Sequence, residues 1–256
     1  MHEKKVAISI KNLVKYFDNR KVLKDISFDI YKGEIFVIMG GSGSGKSTLL
    51  RVMTGAIEPS EGRVTVFDKE ISSLNEAEKE DLKRRFGMSF QSAALLDFLT
   101  VEQNVALPLK EHTHLDDNII NIISKMKLNL VGLNGFENFY PSMLSGGMRK
   151  RAGLARAIAM DPEIVFFDEP TAGLDPVVCA VVDKLIVDLT KKLNLTSIVV
   201  THNMESIFRI ADRVAMVYKG DLIEIGTREE IRNSKNKLIQ QFIKGELEGP
   251  IHLNED

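Results

Sequence analysis

The feature that most constrains the fold of this chain is a glycine-rich segment at residues 40–48, directly after an apolar run at residues 35–39. The segment reads Gly-Gly-Ser-Gly-Ser-Gly-Lys-Ser-Thr and contains the complete pattern G-x-x-x-x-G-K-[ST]. Glycines let the backbone curl until successive N–H groups point inward, and a following helix presents the positive end of its dipole to the same anion. The apolar run before the segment and the helical spacing of Leu49, Leu50 and Met53 after it predict a strand, a loop and a helix. This order favours a phosphate-binding loop over a glycine-rich surface turn.

Every residue of this loop is a candidate contact to a nucleotide. Lys46 is expected to bring a cation to the β- and γ-phosphates, and Ser47 to give a hydroxyl ligand to Mg²⁺. The loop residues predicted to bind the nucleotide are Gly40, Gly41, Ser42, Gly43, Ser44, Gly45, Lys46, Ser47 and Thr48. The cofactors implied are therefore ATP and Mg²⁺.

A second glycine-rich segment, Leu-Ser-Gly-Gly-Met at residues 144–148, precedes a predicted helix. Ser145 is a good N-cap for that helix, but a cap does not explain two glycines in the first turn, each costing ~0.5–1 kcal/mol relative to alanine. Close approach of the backbone to a phosphate is a sufficient reason for Gly146 and Gly147. Because this helix is predicted on a separate subdomain, it should not reach the phosphates held by Lys46 of the same chain. The two segments together predict a head-to-tail dimer that holds ATP between two copies.

Two acidic residues, Asp168 and Glu169, end a buried strand predicted at residues 164–167. Asp168 is placed to hold Mg²⁺ through water, and Glu169 to act as the general base for a water attacking the γ-phosphate. Adjacent acids after a strand are also common helix-capping residues. The phosphate-binding loop upstream is what favours the catalytic interpretation.

Polar residues also follow two other predicted strands. Gln91 comes after residues 86–90 and could reach the magnesium or the attacking water, although a lone glutamine is ordinarily a solvated loop residue. His202 comes after residues 197–201, and its imidazole could donate a hydrogen bond to the γ-phosphate. Strand ends at one edge of a parallel sheet converge on one site, and this strengthens the case that both residues belong to the site. The segment at residues 173–175 could touch a second subunit.

The order of elements predicts an α/β fold with a mainly parallel core sheet, an N-terminal antiparallel β part and an inserted helical subdomain. Strands are predicted at residues 6–10, 26–30, 35–39, 64–66, 86–90, 164–167, 197–201, 214–218 and 222–225. Helices are predicted at residues 76–85, 101–109, 117–130, 145–160, 177–193 and 204–210. Residues 1–256 are expected to form a single domain, with the helical subdomain at about residues 92–160 and a C-terminal helical tail at about residues 228–256.

Composition narrows the class of protein. A formal net charge of −2 argues against a nucleic-acid coat, which needs a clear basic excess. No apolar run approaches the ~18–20 residues of a membrane span, and the opening residues lack the apolar stretch of a signal peptide. The lone cysteine, Cys179, fits a reducing compartment. We therefore expect a cytoplasmic domain whose membrane role comes through partners.

Taken in order, the motifs at residues 40–48, Gln91, 144–148, 168–169, 173–175 and His202 resemble those of the ATP-binding cassette (ABC) ATPases, from about residue 8 to residue 226. The resemblance implies a P-loop ATPase that forms an ATP-sandwich dimer, whose closing and opening drives a partner membrane domain. It also implies that Phe17 is the aromatic residue that stacks on adenine. Tyr16 is the nearby alternative, and a third possibility is that Phe17 is simply an aromatic residue of the core. The chain departs from the family pattern at Met148, where glutamine is usual, and at Asn203, where aspartate is common. Neither departure removes a catalytic group.

A narrower resemblance rests on Met148 together with residues 90–96 and 108–113, which are similar to the cassettes of Mla-type systems. Those systems move phospholipids between the two membranes of double-membrane bacteria. The resemblance implies an integral-membrane permease, an Mce-domain lipid-binding protein and a small regulatory subunit as partners, and a place on the cytoplasmic face of the inner membrane.

Several other functions stay open at this point. A lipoprotein-releasing or cell-division cassette has the same motifs with another partner, and an importer of sugars or amino acids should carry glutamine at position 148. A DNA-repair or translation cassette is disfavoured, because such a cassette should carry a long coiled-coil insertion or a second cassette and neither is recognisable in this sequence. A purely structural nucleotide binder is disfavoured because Glu169 and His202 are both present.

Overall fold

The computed structural model describes residues 5–251. The first four residues, on which the expectation about a signal peptide partly rests, and residues 252–256 of the predicted tail lie outside this range. Within the described range, no helix combines the length and apolar character needed to cross a bilayer.

Ten strands and nine α-helices are described between residues 5 and 251. The strands are β1 (Val6–Phe17), β2 (Arg20–Tyr31), β3 (Ile35–Met39), β4 (Glu61–Val66), β5 (Lys69–Glu70), β6 (Phe86–Ser89), β7 (Ile164–Asp168), β8 (Thr196–Val200), β9 (Arg213–Tyr218) and β10 (Asp221–Thr227). The helices are α1 (Lys46–Met53), α2 (Glu76–Arg84), α3 (Val101–His112), α4 (Asp117–Leu130), α5 (Gly146–Ala157), α6 (Pro176–Lys192), α7 (Met204–Ile210), α8 (Arg228–Arg232) and α9 (Lys237–Lys244).

The larger sheet has the order β10-β9-β3-β8-β7-β6, and five of its six strands are parallel. Its central strand β3 is buried at every position, as expected for a strand covered on both faces. Only β10 is antiparallel, and it follows β9 through a hairpin turn in which Lys219 (φ 48°) and Gly220 (φ 86°) are both left-handed. The mainly parallel sheet is confirmed, and its parallel strands bring their carboxyl ends to one edge.

The smaller sheet is antiparallel, with the order β2-β1-β4-β5. Its first strand is longer than the predicted residues 6–10 and runs on to Phe17. The apolar alternation is interrupted by Asn12 at φ 50°, and the pairing of β1 with β2 shifts register there before it resumes at Leu13. Because this bulge interrupts the alternation, a strict period of two predicts a strand that is too short. The extension matters because it sets the position of Phe17.

The inserted part between β6 and β7 is helical. Helices α3, α4 and α5 fall there, together with a short 3₁₀ helix at Pro141–Met143, and the structure describes no strand among these residues. Thr100 caps α3 through a capping box with Gln103, and Ser145 caps α5. The helical insertion predicted from sequence is confirmed as an element order.

The core sheet lies between two hydrophobic cores. Alternate residues of β3 enter opposite cores: Val37 packs with the helices α3–α9, and Ile38 packs with α1 and the antiparallel sheet. The C-terminal helices also belong to the folded body, because Ile231 of α8 and Ile239 of α9 are fully buried in the first core. A capping box begins α8, since Glu230 N donates to Thr227 Oγ1 at 3.3 Å and Thr227 N donates to Glu230 Oε2 at 2.7 Å.

Candidate nucleotide-binding site

The glycine-rich loop connects β3 to α1 at the carboxyl edge of the core sheet. Gly40 has φ 155°, and a Cβ at this position would lie 2.1 Å from the carbonyl oxygen of Val217 in neighbouring β9. Gly45 stands at the N-cap of α1 with φ 104°, where a Cβ would lie 2.8 Å from Leu23. Both positions therefore require glycine, and the curled loop needed to aim N–H groups at an anion is built into the local packing.

Lys46, the first residue of α1, lies inside this loop. Its Nζ donates to the carbonyl oxygens of Gly40 at 2.8 Å and Gly41 at 2.7 Å. Burial lowers the pKa of the Lys46 ammonium, while the charges of Glu169 and Asp168 act in the opposite direction. A partly desolvated cation within a ring of backbone dipoles can bind a phosphate oxygen with little competition from water.

The residues around the loop fit a nucleotide. They line an open cavity of about 800 Å³, which is in the range of small-molecule sites. Ser44 is buried, and its Oγ has no hydrogen-bond partner among the described residues, so it can still bind an oxygen atom of a ligand. The cavity lining includes four basic residues besides Lys46, namely Arg20, Lys21, Lys24 and Lys219. Steric demand, the unpaired hydroxyl and positive charge all suit a polyphosphate.

Of the two aromatic candidates for the base, only Phe17 is in the cavity wall that the described residues form. Phe17 ends β1 and is 44% exposed, so it does not belong to the hydrophobic core. The neighbouring Tyr16 does not line this cavity, and Lys21 Nζ lies 5.6 Å from its ring centroid. The geometry therefore favours Phe17 over Tyr16 as a stacking surface.

The two carboxylates lie at the same edge as the loop. Asp168 ends β7, where it is paired in register with Val200 of β8. Burial raises the pKa of the Asp168 carboxyl, as does the neighbouring charge of Glu169, and the cations of Lys46, Arg51 and Lys150 oppose these effects. Asp168 and Ser47 line a common cavity of about 630 Å³.

Glu169 and His202 form a pair that links β7 to the end of β8. Glu169 has φ 47°, and its Oε1 lies 2.7 Å from His202 Nδ1, while Thr201 Oγ1 donates to Oε2 at 3.1 Å. The Glu169 side chain is 12% exposed and that of His202 is 65% exposed. Two partners thus fix the carboxylate at the edge of the site, an arrangement suited to orienting a water molecule.

A magnesium ion fits these residues only together with phosphate oxygens. Among residues 5–251, no group of three or more His, Cys, Asp or Glu side chains could hold a metal by itself. Mg²⁺ is commonly bound by one or two carboxylates, hydroxyl groups and substrate phosphates. Asp168 and Ser47 supply such a partial set, and Gln91 directly follows Phe90, which lines the same cavity.

Lys150, which the sequence reasoning missed, connects Gln91 with the carboxylates. Its Nζ donates to the backbone carbonyl of Gln91 and, at 3.2 Å, to that of Glu169. Burial lowers the pKa of the Lys150 ammonium, against the charges of Glu169 and Asp168. In the sequence, Lys150 stands out only by lying five residues after Ser145, and this position does not predict a contact with Gln91 or Glu169. The structure thus ties α5 of the helical insertion to the loop at Gln91.

The Ser-Gly-Gly segment begins α5, away from the phosphate-binding loop. Ser145 Oγ accepts from Met148 N at 3.3 Å, and none of Ser145, Gly146 and Gly147 lines the nucleotide cavity formed by the described residues. Close approach to a phosphate is one sufficient reason for the two glycines, and the structure shows a second reason for Gly147. A Cβ at Gly147 would lie 2.5 Å from Val178 Cγ1 of α6, so packing within the chain already demands glycine there. Gly146 meets only Leu174 at 3.4 Å, an ordinary contact.

Comparisons with known proteins agree with this geometry. The family model described as ABC transporter matches residues 23–172, more than half of the chain. The chain is 43% identical over 246 residues to the intermembrane phospholipid transport system ATP-binding protein MlaF of Haemophilus influenzae, covering 96% of this chain and 93% of that protein. It is 46% identical over 230 residues to the methionine import ATP-binding protein MetN of Clostridioides difficile, covering 89% and 71% respectively. Among solved structures, a dimeric ATP-binding cassette in a post-hydrolysis state with ADP and Pi matches with a TM-score of 0.78 at 29% identity, covering 86% of this chain and 98% of that one.

Proposed function

The chain belongs to the ABC transporter family and is an ATP-binding, ATP-hydrolysing subunit, and from this membership we propose that two copies close around two ATP molecules to drive a membrane permease. One observation carries the dimer. The phosphate-binding loop lines the nucleotide cavity, whereas Ser145 and Gly146 stand on the helical insertion outside it. A second copy, placed head to tail, brings its Ser145 segment to the open side of the cavity. ATP then differs from ADP because only its γ-phosphate bridges both chains, and hydrolysis reopens the dimer.

Within each site, the residues have separate roles in this proposal. Lys46, Ser44 and the loop N–H groups bind the phosphates, and Phe17 stacks on adenine. Ser47 and Asp168, with Gln91, would hold Mg²⁺, and the ion would supply positive charge to neutralise the phosphate oxygens. The water that attacks the γ-phosphate gives its proton to Glu169. His202 and Thr201 hold that carboxylate in position.

The contact with the permease is proposed on the apolar side of the helical insertion, at residues 92–109. Just before this segment, the aromatic residues Phe86 and Phe90 line the cavity shared by Ser47 and Asp168, and within the segment Phe98 is 76% exposed. Exposed aromatic side chains of this kind mark protein interfaces. Lys150 bonds to the backbone of both Gln91 and Glu169, and we propose that through this link nucleotide binding moves residues 92–160 relative to the core sheet.

The cargo is proposed to be phospholipid. The likeness to MlaF extends over nearly the whole length of both proteins, whereas this chain spans 71% of MetN. A phospholipid transporter of this kind places the chain on the cytoplasmic face of the inner membrane, bound to its permease, with an Mce-domain lipid-binding protein and a small regulatory subunit. Import of a small solute is the second candidate, because the identity to MetN is 46% over the shared part.

The test is a pull-down of the tagged chain from detergent-solubilised membranes of its own host, with mass spectrometry of the retained proteins and lipids. We expect a permease, an Mce-domain protein and bound phospholipid. The Phe98→Asp variant should lose the permease and everything beyond it, while Leu247→Asp, at another position that is 91% exposed, should retain them. A solute-binding protein without lipid would instead support import, and soluble partners alone would contradict the transport proposal.

A further inference from the structure

The segment that follows α9 returns to the nucleotide cavity of its own chain. Helix α9 ends at Gly245, which has φ 65°, and its N–H donates to Gln241 O at 2.9 Å. Six residues later, Ile251 is part of the cavity wall together with Phe17 and the phosphate-binding loop. The chain therefore contributes a residue to this cavity from a region that shows no nucleotide-binding motif.

One buried side chain holds this segment in place. Gln241 is 5% exposed, and its amide bonds to the backbone of the segment at three points. Nε2 donates to the carbonyl oxygens of Glu246 and Ile251, each at 3.2 Å, and Oε1 accepts from Ile251 N at 2.7 Å. Both backbone groups of Ile251 are thus satisfied by one amide and do not need a partner from the cavity.

The backbone of the segment also approaches Gln241 so closely at Gly249 that there is no space for a side chain at this position. Gly249 has φ 152°, and a Cβ at that position would lie 2.5 Å from Cδ and Oε1 of Gln241. Helix α9, which carries Gln241, is anchored in the core through the fully buried Ile239. The position of Ile251 is therefore determined by the folded body of the protein.

We propose that Ile251 is a nucleotide-binding residue of its own chain, in contact with the base or ribose of ATP, and that Gln241 is its positioning residue. This inference rests on the proposed nucleotide site. The phosphate-binding loop is the polar end of the cavity, and its apolar wall consists of Phe17, Val22, Tyr218 and Ile251. The base and ribose are the least charged parts of the nucleotide, so an apolar wall suits them best.

The experiment compares binding of Mg-ADP and of inorganic pyrophosphate by isothermal titration calorimetry, so that no hydrolysis is needed. Two variants remove the contact: Ile251→Ser, and a chain that ends at residue 248 and leaves α9 intact. Each should raise the Kd for ADP about five- to tenfold, as expected for losing part of one apolar side-chain contact. The Kd for pyrophosphate should stay the same because pyrophosphate has no base or ribose. Gln241→Leu should behave like Ile251→Ser with an unchanged far-ultraviolet circular dichroism spectrum.

Matched controls are Leu247→Ser, which changes an exposed apolar residue of the same segment, and a chain that ends at residue 251. Both should bind ADP as the full chain does. Lys46→Ala should lose both ligands. If ADP binding is unchanged in the Ile251 variants but lost in Lys46→Ala, the inference about the tail is wrong and the nucleotide site stands. Equal weakening of ADP and pyrophosphate would also overturn it, and full ADP binding by Lys46→Ala would instead overturn the nucleotide site itself.

Discussion

Glu169 combines a strained backbone with a carboxylate whose two oxygens each have one hydrogen-bond partner. A non-glycine residue at φ 47° costs of order 1 kcal/mol, and such strain persists only where the surroundings hold it. Here Glu169 N donates to Val200 O at 2.9 Å, while His202 and Thr201 bind the two carboxylate oxygens. These contacts hold the carboxylate at the end of β8, on the carboxyl edge of the core sheet.

From this geometry, Glu169→Gln should abolish ATP hydrolysis and retain ATP binding. The glutamine amide keeps the shape of the side chain but cannot accept a proton, and loss of a general base typically costs 10²–10⁴-fold in rate. Steady-state phosphate release and ATP binding by the purified variant measure the two effects, and size-exclusion chromatography with ATP should show a dimer. Glu61→Gln, at an exposed position of β4, is the matched control and should hydrolyse ATP normally. Rapid turnover by Glu169→Gln would refute the assignment of the base.

How far the sequence predicts this site depends on how local each contact is. The phosphate-binding loop and the Asp168-Glu169 pair were predicted because a short segment contains their geometry. Lys150 contacts Gln91, which is 59 residues away in sequence, and Ile251 lies near the C-terminal end of the sequence but lines the same cavity as the phosphate-binding loop. Such contacts depend on tertiary packing, and a single sequence has no period or motif that encodes them.

At the scale of elements, a buried charged group joins α6 to α7. Asp183 of α6 is fully buried and pairs with Arg209 of α7, and Oδ1 has no hydrogen-bond partner among the described residues. Next to it, Thr171 Oγ1 and Ser206 Oγ lie 3.4 Å apart. Helix α7 begins two residues after His202, so this network connects the loop after Glu169 with the histidine.

This network gives a prediction for the pH dependence of stability. Burial raises the pKa of the Asp183 carboxyl above the ordinary value of 3.8, although hydrogen bonds from Ser206 and Arg209 oppose it and Glu205 adds to it. Above pH 3.8 the folded protein therefore holds this proton more tightly than the unfolded chain, and stability falls as pH rises through that window. The free energy of unfolding of the wild type minus that of Asp183→Asn should decrease with rising pH, as measured by urea titrations between about pH 4 and pH 7.

A control with the opposite sign lies on the same helix. Lys184 lowers the pKa of exposed Asp188 by a hydrogen bond, so folding favours its ionised form. The wild-type minus Asp188→Asn difference should therefore increase as pH rises toward the ordinary value of 3.8 and be nearly constant above it, so these titrations start below that pH. A flat or rising Asp183 difference would contradict the account of its burial.

The elements themselves were predicted well where one period holds throughout. Helices α4 and α7 and strand β3 have the predicted bounds, because their apolar spacing is uninterrupted. β1 was cut short at its bulge. β5 has two residues and follows Phe67 and Asp68, which are both left-handed, so too little sequence was present to show alternation.

For the whole molecule, the main consequence of the fold is that the two elements proposed to bind phosphate are separated within one chain. The loop at residues 40–48 belongs to the core sheet, and the segment at Ser145 belongs to the helical insertion. If they act on one nucleotide only across a dimer, each complete site takes Lys46 and Glu169 from one chain and Ser145 from the other. This assignment has a consequence that a single-chain site does not share.

Two inactive variants should restore activity to each other when they are mixed. Lys46→Ala removes the loop cation, and Ser145→Arg places a bulky side chain at the second element and should still bind nucleotide. In a mixed dimer one site carries both changes and the other carries neither. If sites act independently, an equimolar mixture should recover about a quarter of the wild-type rate, since about half of the dimers are mixed and each has one intact site. Mixing Lys46→Ala with Glu169→Gln is the matched control and should restore nothing, because both changes affect the same chain's half of a site. Recovery in the control, or none in the test mixture, would contradict the two-chain site.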